Sequence, residues 1–164
     1  MVKRSVSGFV SHAHADRLLI EPFLELVRPR LRTRSGFEAS LWIDRHILAG
    51  EDWEREIEHA LDDADFGLVC VSANLMDSPF IQRVELPALL VAERLVVPFA
   101  LEPIDHLDLD RLAGRQIYRL LTPRGKHPLS FEQARRAGYA KAFCDELLRQ
   151  IGDRLLSQPL QARR

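Results

Sequence analysis

Apolar positions along this chain follow two periods that take turns. Val6 to Val10, Ser40 to Asp44, Phe66 to Val71 and Leu95 to Leu101 are short apolar runs bounded by polar or turn residues, the signature of strands. Between them apolar residues recur at helical spacing. Leu18, Leu19, Phe23, Leu26, Val27 and Leu31 form one stripe, which Asp16 can cap and in which Pro22 marks a start or a bend. Trp53, Ile57, Ala60 and Leu61 form a second, with Asp52 as its cap. Ser78-Pro79 opens a third helix, on which Ile81, Glu85 and Leu89 share one face at i+4. Gln116 to Leu121 reads as a short fifth strand, and residues 102 to 115 read mostly as loop. Phe131 to Leu156 is a long helical stripe with Gly138 as a point of interruption. Pro98 puts the fourth strand at an edge or a bulge, because proline cannot donate to a ladder.

Strands alternating with helices predict an α/β fold with a central parallel sheet of about five strands and helices on both faces. The flavodoxin-like order 2-1-3-4-5 fits the length, with residues 1–156 as one domain and 157–164 as a tail or the start of a linker. In such sheets ligands sit beyond the carboxyl ends of the strands, at the switch point between strands one and three. That rule selects Ser11, His12 and His14 after strand one, and Asp44 and Arg45 after strand two. After strand three it selects Ser72, Asn74 and Ser78, with Glu85 on the helix beyond. Ile81 and Leu89 mark the Glu85 face as inward, where a carboxylate is expensive to place. Pro87 cannot donate to the carbonyl of Arg83 and should kink or restart the helix beside that acid. The structural alternatives are an ion pair of Glu85 with Arg83 or Arg55, or a position facing solvent.

Charge and composition narrow the field. A net charge of −1 over 164 residues lacks the basic excess that tracks phosphates, so no direct nucleic-acid partner is expected. No apolar stretch approaches the ~18 residues of a membrane span, which predicts no membrane partner and a soluble, cytoplasmic protein. The two cysteines, Cys70 and Cys144, fall in a strand and a helix without metal spacing and read as reduced thiols. His12 and His14 lack a third ligand at suitable spacing, so no metal is predicted. The arginines of segment 28–34 complement a helix C-terminus or form a docking patch for an acidic partner.

The segments FVSHAHAD (9–16), LWIDRHILAGEDWEREIEHAL (41–61), FGLVCVSANLMDSPF (66–80) and VEL (84–86) resemble, in order and spacing, the TIR domain, particularly its bacterial branch. The resemblance implies the flavodoxin-like fold. Enzymatic members of the family split NAD+ into nicotinamide and ADP-ribose or a cyclised product, using a glutamate on the helix after strand three, and Glu85 matches that position. NAD+ would be the substrate, and no separate cofactor is implied. Segment 45–52 resembles the family's BB loop, so Arg45, Ile47, Leu48 and Gly50 become candidates for homotypic self-association. A sensor domain or partner protein and a role in bacterial anti-phage immunity are implied in the same way. Where the family often carries a tryptophan four residues before the glutamate, this chain has Ile81, with Phe80 adjacent. That departure favours the alternative of a non-catalytic module acting by assembly.

Candidate substrate contacts are Ser11, His12, His14, Trp42, Asp44, Ser78 and Phe80. Each has a structural alternative. Trp42 sits mid-strand and is core or a stacking surface; Asp44 anchors the following loop or meets a ribose hydroxyl. Ser78 is first a helix cap, His12 first a hydrogen-bonded loop histidine, and Trp53 is expected to dock its helix.

Overall fold

A computed structural model of the chain describes residues 3–43, 52–91, 94–112 and 114–158. Four parallel strands, β1 (Arg4–Ser11), β2 (Phe37–Ile43), β3 (Phe66–Val71) and β4 (Leu95–Ala100), lie in the order β2-β1-β3-β4. The helices are α1 (Arg17–Thr33), α2 (Trp53–Asp63), α3 (Ala73–Asp77), α4 (Leu86–Val91), α5 (Phe131–Arg136) and α6 (Ala140–Ser157). The doubly wound, flavodoxin-like arrangement is the one expected from the alternation.

Successive strand residues feed opposite faces, as the pleat requires. Phe66, Leu68 and Cys70 of β3 and Leu95, Val97 and Phe99 of β4 join α1 and α6 in one core. Val69, Val71, Val96 and Ala100 join Ile57 and Leu61 of α2 and Leu89 of α4 in the other. Gly8 permits a close approach between strands, because a Cβ there would lie 2.4 Å from the Phe66 ring.

The sheet has four strands rather than five, and Pro98 supplies the reason. Tyr118 donates its N–H to the carbonyl of Pro98 and accepts from Ala100 N–H, at 2.8 and 3.0 Å. Extending that parallel ladder toward Gln116 would require an N–H on residue 98, which proline lacks. In the other direction Leu120 exchanges both backbone bonds with Leu129 instead, so segment 116–121 makes two isolated bridges.

Helix boundaries differ from expectation in three places. Helix α1 begins at Arg17 and runs through both Pro22 and Pro29. A short helix, α3, occupies Ala73–Asp77, where the sequence suggested only polar turn residues. The predicted kink at Pro87 takes the form of a π-turn over Ile81–Glu85, closed by the bond from Leu86 N–H to the Ile81 carbonyl. Gly138 does break the C-terminal helix, at φ +83°, a conformation that costs glycine little. No helix of the described residues is long and apolar enough to cross a membrane.

Candidate functional site

The end of β1 and the helical segment after β3 meet at the carboxyl edge of the sheet. Ser11, the last residue of β1, is fully buried, and its hydroxyl donates to Glu85 Oε2 at 2.6 Å. Glu85 closes the π-turn and is only 5% exposed, flanked on its face by buried Ile81 and Leu89. The inward direction read from the i+4 spacing therefore holds. The hydrogen bond comes from a strand 74 positions away, while Arg83 and Arg55 are exposed. A π-turn widens the helix by one residue per turn and is a frequent feature of functional sites. Here it ends on the acid, one residue before α4.

A second buried carboxylate ties the same corner together. Asp16 heads α1 but makes no cap bond; its carboxylate accepts from the Ser72 hydroxyl and, at 2.7 Å, from the Asn74 side-chain amide. Ser72 Oγ in turn accepts from Leu75 N–H at 3.0 Å, capping α3. Glu102 accepts from Ala73 N–H at 2.7 Å. Gln82 reaches back from the π-turn and donates to the Leu75 carbonyl at 3.1 Å. The loop after β1, the corner after β3 and the segment carrying Glu85 are thus held by a continuous set of bonds. Between the two acids lies Cys70, whose thiol is pushed well above its ordinary range by burial first, then by the charges of Asp16 and Glu85. It stays protonated and is no nucleophile.

These elements enclose a cavity of about 910 Å³. Its floor includes Glu85 and Ile81; one wall is formed by His12, Ala13 and His14, the other by Ser78, Pro79 and Phe80. Arg17, Ile20, Glu21 and Leu24 of α1, Ile43 at the end of β2 and Trp53 at the start of α2 also line it. The His12 and His14 rings lie 6.0 Å apart. Ser78 is half-buried, and its hydroxyl accepts from Ile81 N–H at 3.4 Å, so it caps the segment while lining the cavity. Among the described residues no group of three His, Cys, Asp or Glu is placed to hold a metal ion.

The sequence-selected residues divide accordingly. His12, His14, Ser78, Phe80 and Glu85 share the cavity, and Ser11 sits behind Glu85. Trp42 does not line it: alternation along β2 turns its ring the other way, where it stacks on Phe9 at 5.1 Å. Asp44, Arg45, Ile47, Leu48 and Gly50 lie outside the described residues. Sequence reasoning missed Asp16 as a network acid, because its position at a helix start has an ordinary capping explanation. It also missed Trp53, expected as a docking residue but 41% exposed and in contact with Phe80 at 4.9 Å between ring centres. Its place at the first residue of α2, in the connection after β2, was the available signal.

A parallel sheet in this order, with a buried acid at its switch-point crevice, defines a flavodoxin-like α/β domain. The sequence profile of the TIR domain family matches residues 9–150, and the chain belongs to that family. No curated protein matches it.

Proposed function

We propose that this domain cleaves the bond between nicotinamide and ribose in NAD+, releasing nicotinamide and linear or cyclic ADP-ribose, with Glu85 as the catalytic carboxylate. The observation that carries the reading is the buried Glu85 at the cavity floor, oriented by the Ser11 hydroxyl at 2.6 Å. Family membership supports it, since the TIR family includes enzymes of this kind.

The chemistry asks for little else. Loss of nicotinamide passes through an oxocarbenium-like state, as in glycoside hydrolysis. A fixed carboxylate beside the developing charge, in a crevice that limits water, stabilises that state more than the ground state. Nicotinamide leaves from a cationic ring, so no second acid has to protonate it. His12, His14, Ser78 and Phe80 are the proposed substrate contacts on this chain, and Ser11 is a positioning residue. Asp44 remains a proposed ribose contact from its place after the second strand.

Self-association through Arg45, Ile47, Leu48 and Gly50 is proposed to complete the site, and the setting is proposed to be cytoplasmic, in bacterial anti-phage defence. A second reading, a TIR module that only assembles, is favoured by Ile81 where a tryptophan is frequent. An NAD+ consumption assay on concentrated protein separates the two. Turnover that rises in specific activity with protein concentration is the expected result; no turnover at any concentration would leave the assembly module.

A further inference from the structure

We infer that Trp53, backed by Phe80, is the surface on which the nicotinamide ring of the substrate stacks; this rests on the reading of the site as one that cleaves NAD+. The ring to be released is planar and positively charged, and tryptophan offers the strongest aromatic face for such a cation. Ile81 offers no such face, being aliphatic and 4% exposed. Beside the His12 and His14 imidazoles, the aromatic rings lining the cavity are those of the Trp53–Phe80 pair.

Three features fit this role. Trp53 is not what holds α2 in place: Ile57 and Leu61 are the buried anchors of that helix, while Trp53 keeps 41% of its surface open. An aromatic ring left open beside a cavity is available to a ligand. The two rings meet at an interplanar angle of 57°, a tilted contact and not a parallel stack, and Trp53 stays 41% exposed in it. Phe80 precedes Glu85 by five residues in the same helical segment, and Trp53, Phe80 and Glu85 line one cavity. The ring next to the acid is the one whose glycosidic bond breaks; adenine lies at the far end of the dinucleotide. Glu85, Glu21 and Asp77 line the cavity against a single arginine, Arg17, and that acidic excess suits a cationic ring there.

Tryptophan fluorescence tests this without turnover. The chain has two tryptophans, and Trp42, stacked on Phe9 and away from the cavity lining, is an internal control. In the Glu85→Gln protein at high concentration, 1-methylnicotinamide, a cationic nicotinamide without a cleavable ribose, should quench emission saturably. The added change Trp53→Phe should abolish that quenching, and ADP-ribose should quench far less. In the active protein Trp53→Ala should raise KM about tenfold with little change in kcat, and Trp53→Phe should recover most of the loss. Melting curves of both variants control for folding. Quenching that survives Trp53→Phe, quenching by ADP-ribose alone, or no saturable quenching would overturn the inference. Absent quenching with Glu85-dependent cleavage intact would sink the stacking surface and leave the reaction standing. Saturable Trp53 quenching without any cleavage would do the reverse.

Discussion

On one face of the sheet, α1, α5 and α6 bury Phe23, Phe99, Phe131 and Phe143 against one another, with ring centres 4.5 to 6.0 Å apart. On the other face α2, α3 and α4 bury smaller aliphatic residues, and Phe9 is the one phenylalanine fully buried there among the described residues. The buried polar residues are just as unevenly spread. Ser11, Asp16, Ser72 and Glu85 gather at the crevice, and the remaining one, Ser130, simply caps α5. The aromatic face buries no carboxylate among the described residues and supplies stability. The lighter face and its crevice edge hold two carboxylates out of water, each satisfied by a hydroxyl from another segment. Desolvated acids are costly, and the difference between the faces shows where that cost is borne.

Substitutions on the two faces should therefore behave differently. The largest stability effect is expected from Phe99→Ala, which removes a fully buried ring from the aromatic face and should cost about 3–5 kcal/mol by denaturant unfolding. A loss below 1 kcal/mol would mean the aromatic face is not the main source of stability. Asp16→Ala should come next, at about 2 kcal/mol, because it strips the acceptor from Ser72 and Asn74. It should also lower activity by loosening the wall of the cavity, whereas Phe99→Ala should change activity only as far as it unfolds the protein.

Much of this was legible in the sequence, for local reasons. β3 was read to the residue because Phe66 to Val71 is buried on both faces and so appears as an unbroken apolar run. Gly138 announced the break between α5 and α6, and Asp52 announced its cap, accepting from Arg55 N–H at 3.4 Å. The inward turn of Glu85 followed from Ile81 and Leu89. What escaped depends on distant partners. The fifth strand failed because Leu120 found Leu129 and Pro98 had no donor to offer. The bonds from Ser11 to Glu85 and from Ser72 to Asp16 span 74 and 56 positions, beyond any periodicity. Of the two readings open for Trp42, the pleat of β2 selects the packed one, against Phe9, while Trp53, expected to dock its helix, lines the crevice instead.

A smaller effect tests the proposed assembly. Leu48→Asp should leave the melting temperature within about a degree while weakening self-association by light scattering, as proposed for segment 45–52. It should also flatten the rise of specific activity with concentration. Identical oligomers and identical dilution behaviour for both proteins would remove the loop from the account.

The pH response should be smaller still, and it has a different origin at each end. Burial pushes the Cys144 thiol from its ordinary 9.0 up to about 12, and Cys70 and the Tyr118 hydroxyl are raised as well. Groups raised in the folded state contribute stability that is present below their ordinary values and lost as pH climbs above about 9. Cys144→Ala should make that alkaline decline shallower. At the acid end Glu146 is held down at about 2, first by its hydrogen bond from Arg149 and then by that from Gln150. Its contribution is present above 4.5 and fades as pH falls toward 2. Solvent screening at this surface site should limit the acid effect of Glu146→Gln to about a degree or two in melting temperature.

The central claim is that the acid on the lighter face does chemistry and is not a structural ion. Glu85→Gln keeps an acceptor for the Ser11 hydroxyl, so its stability should stay within about 1 kcal/mol of the parent, whereas Glu85→Ala would strand that hydroxyl. Nicotinamide release from NAD+ should be measured for the parent and Glu85→Gln at matched, high protein concentration, with unfolding curves recorded on the same samples. The account predicts release by the parent and none above background by a Glu85→Gln protein of unchanged stability. Equal release by the two proteins, or loss of release only in step with loss of the fold, would contradict it.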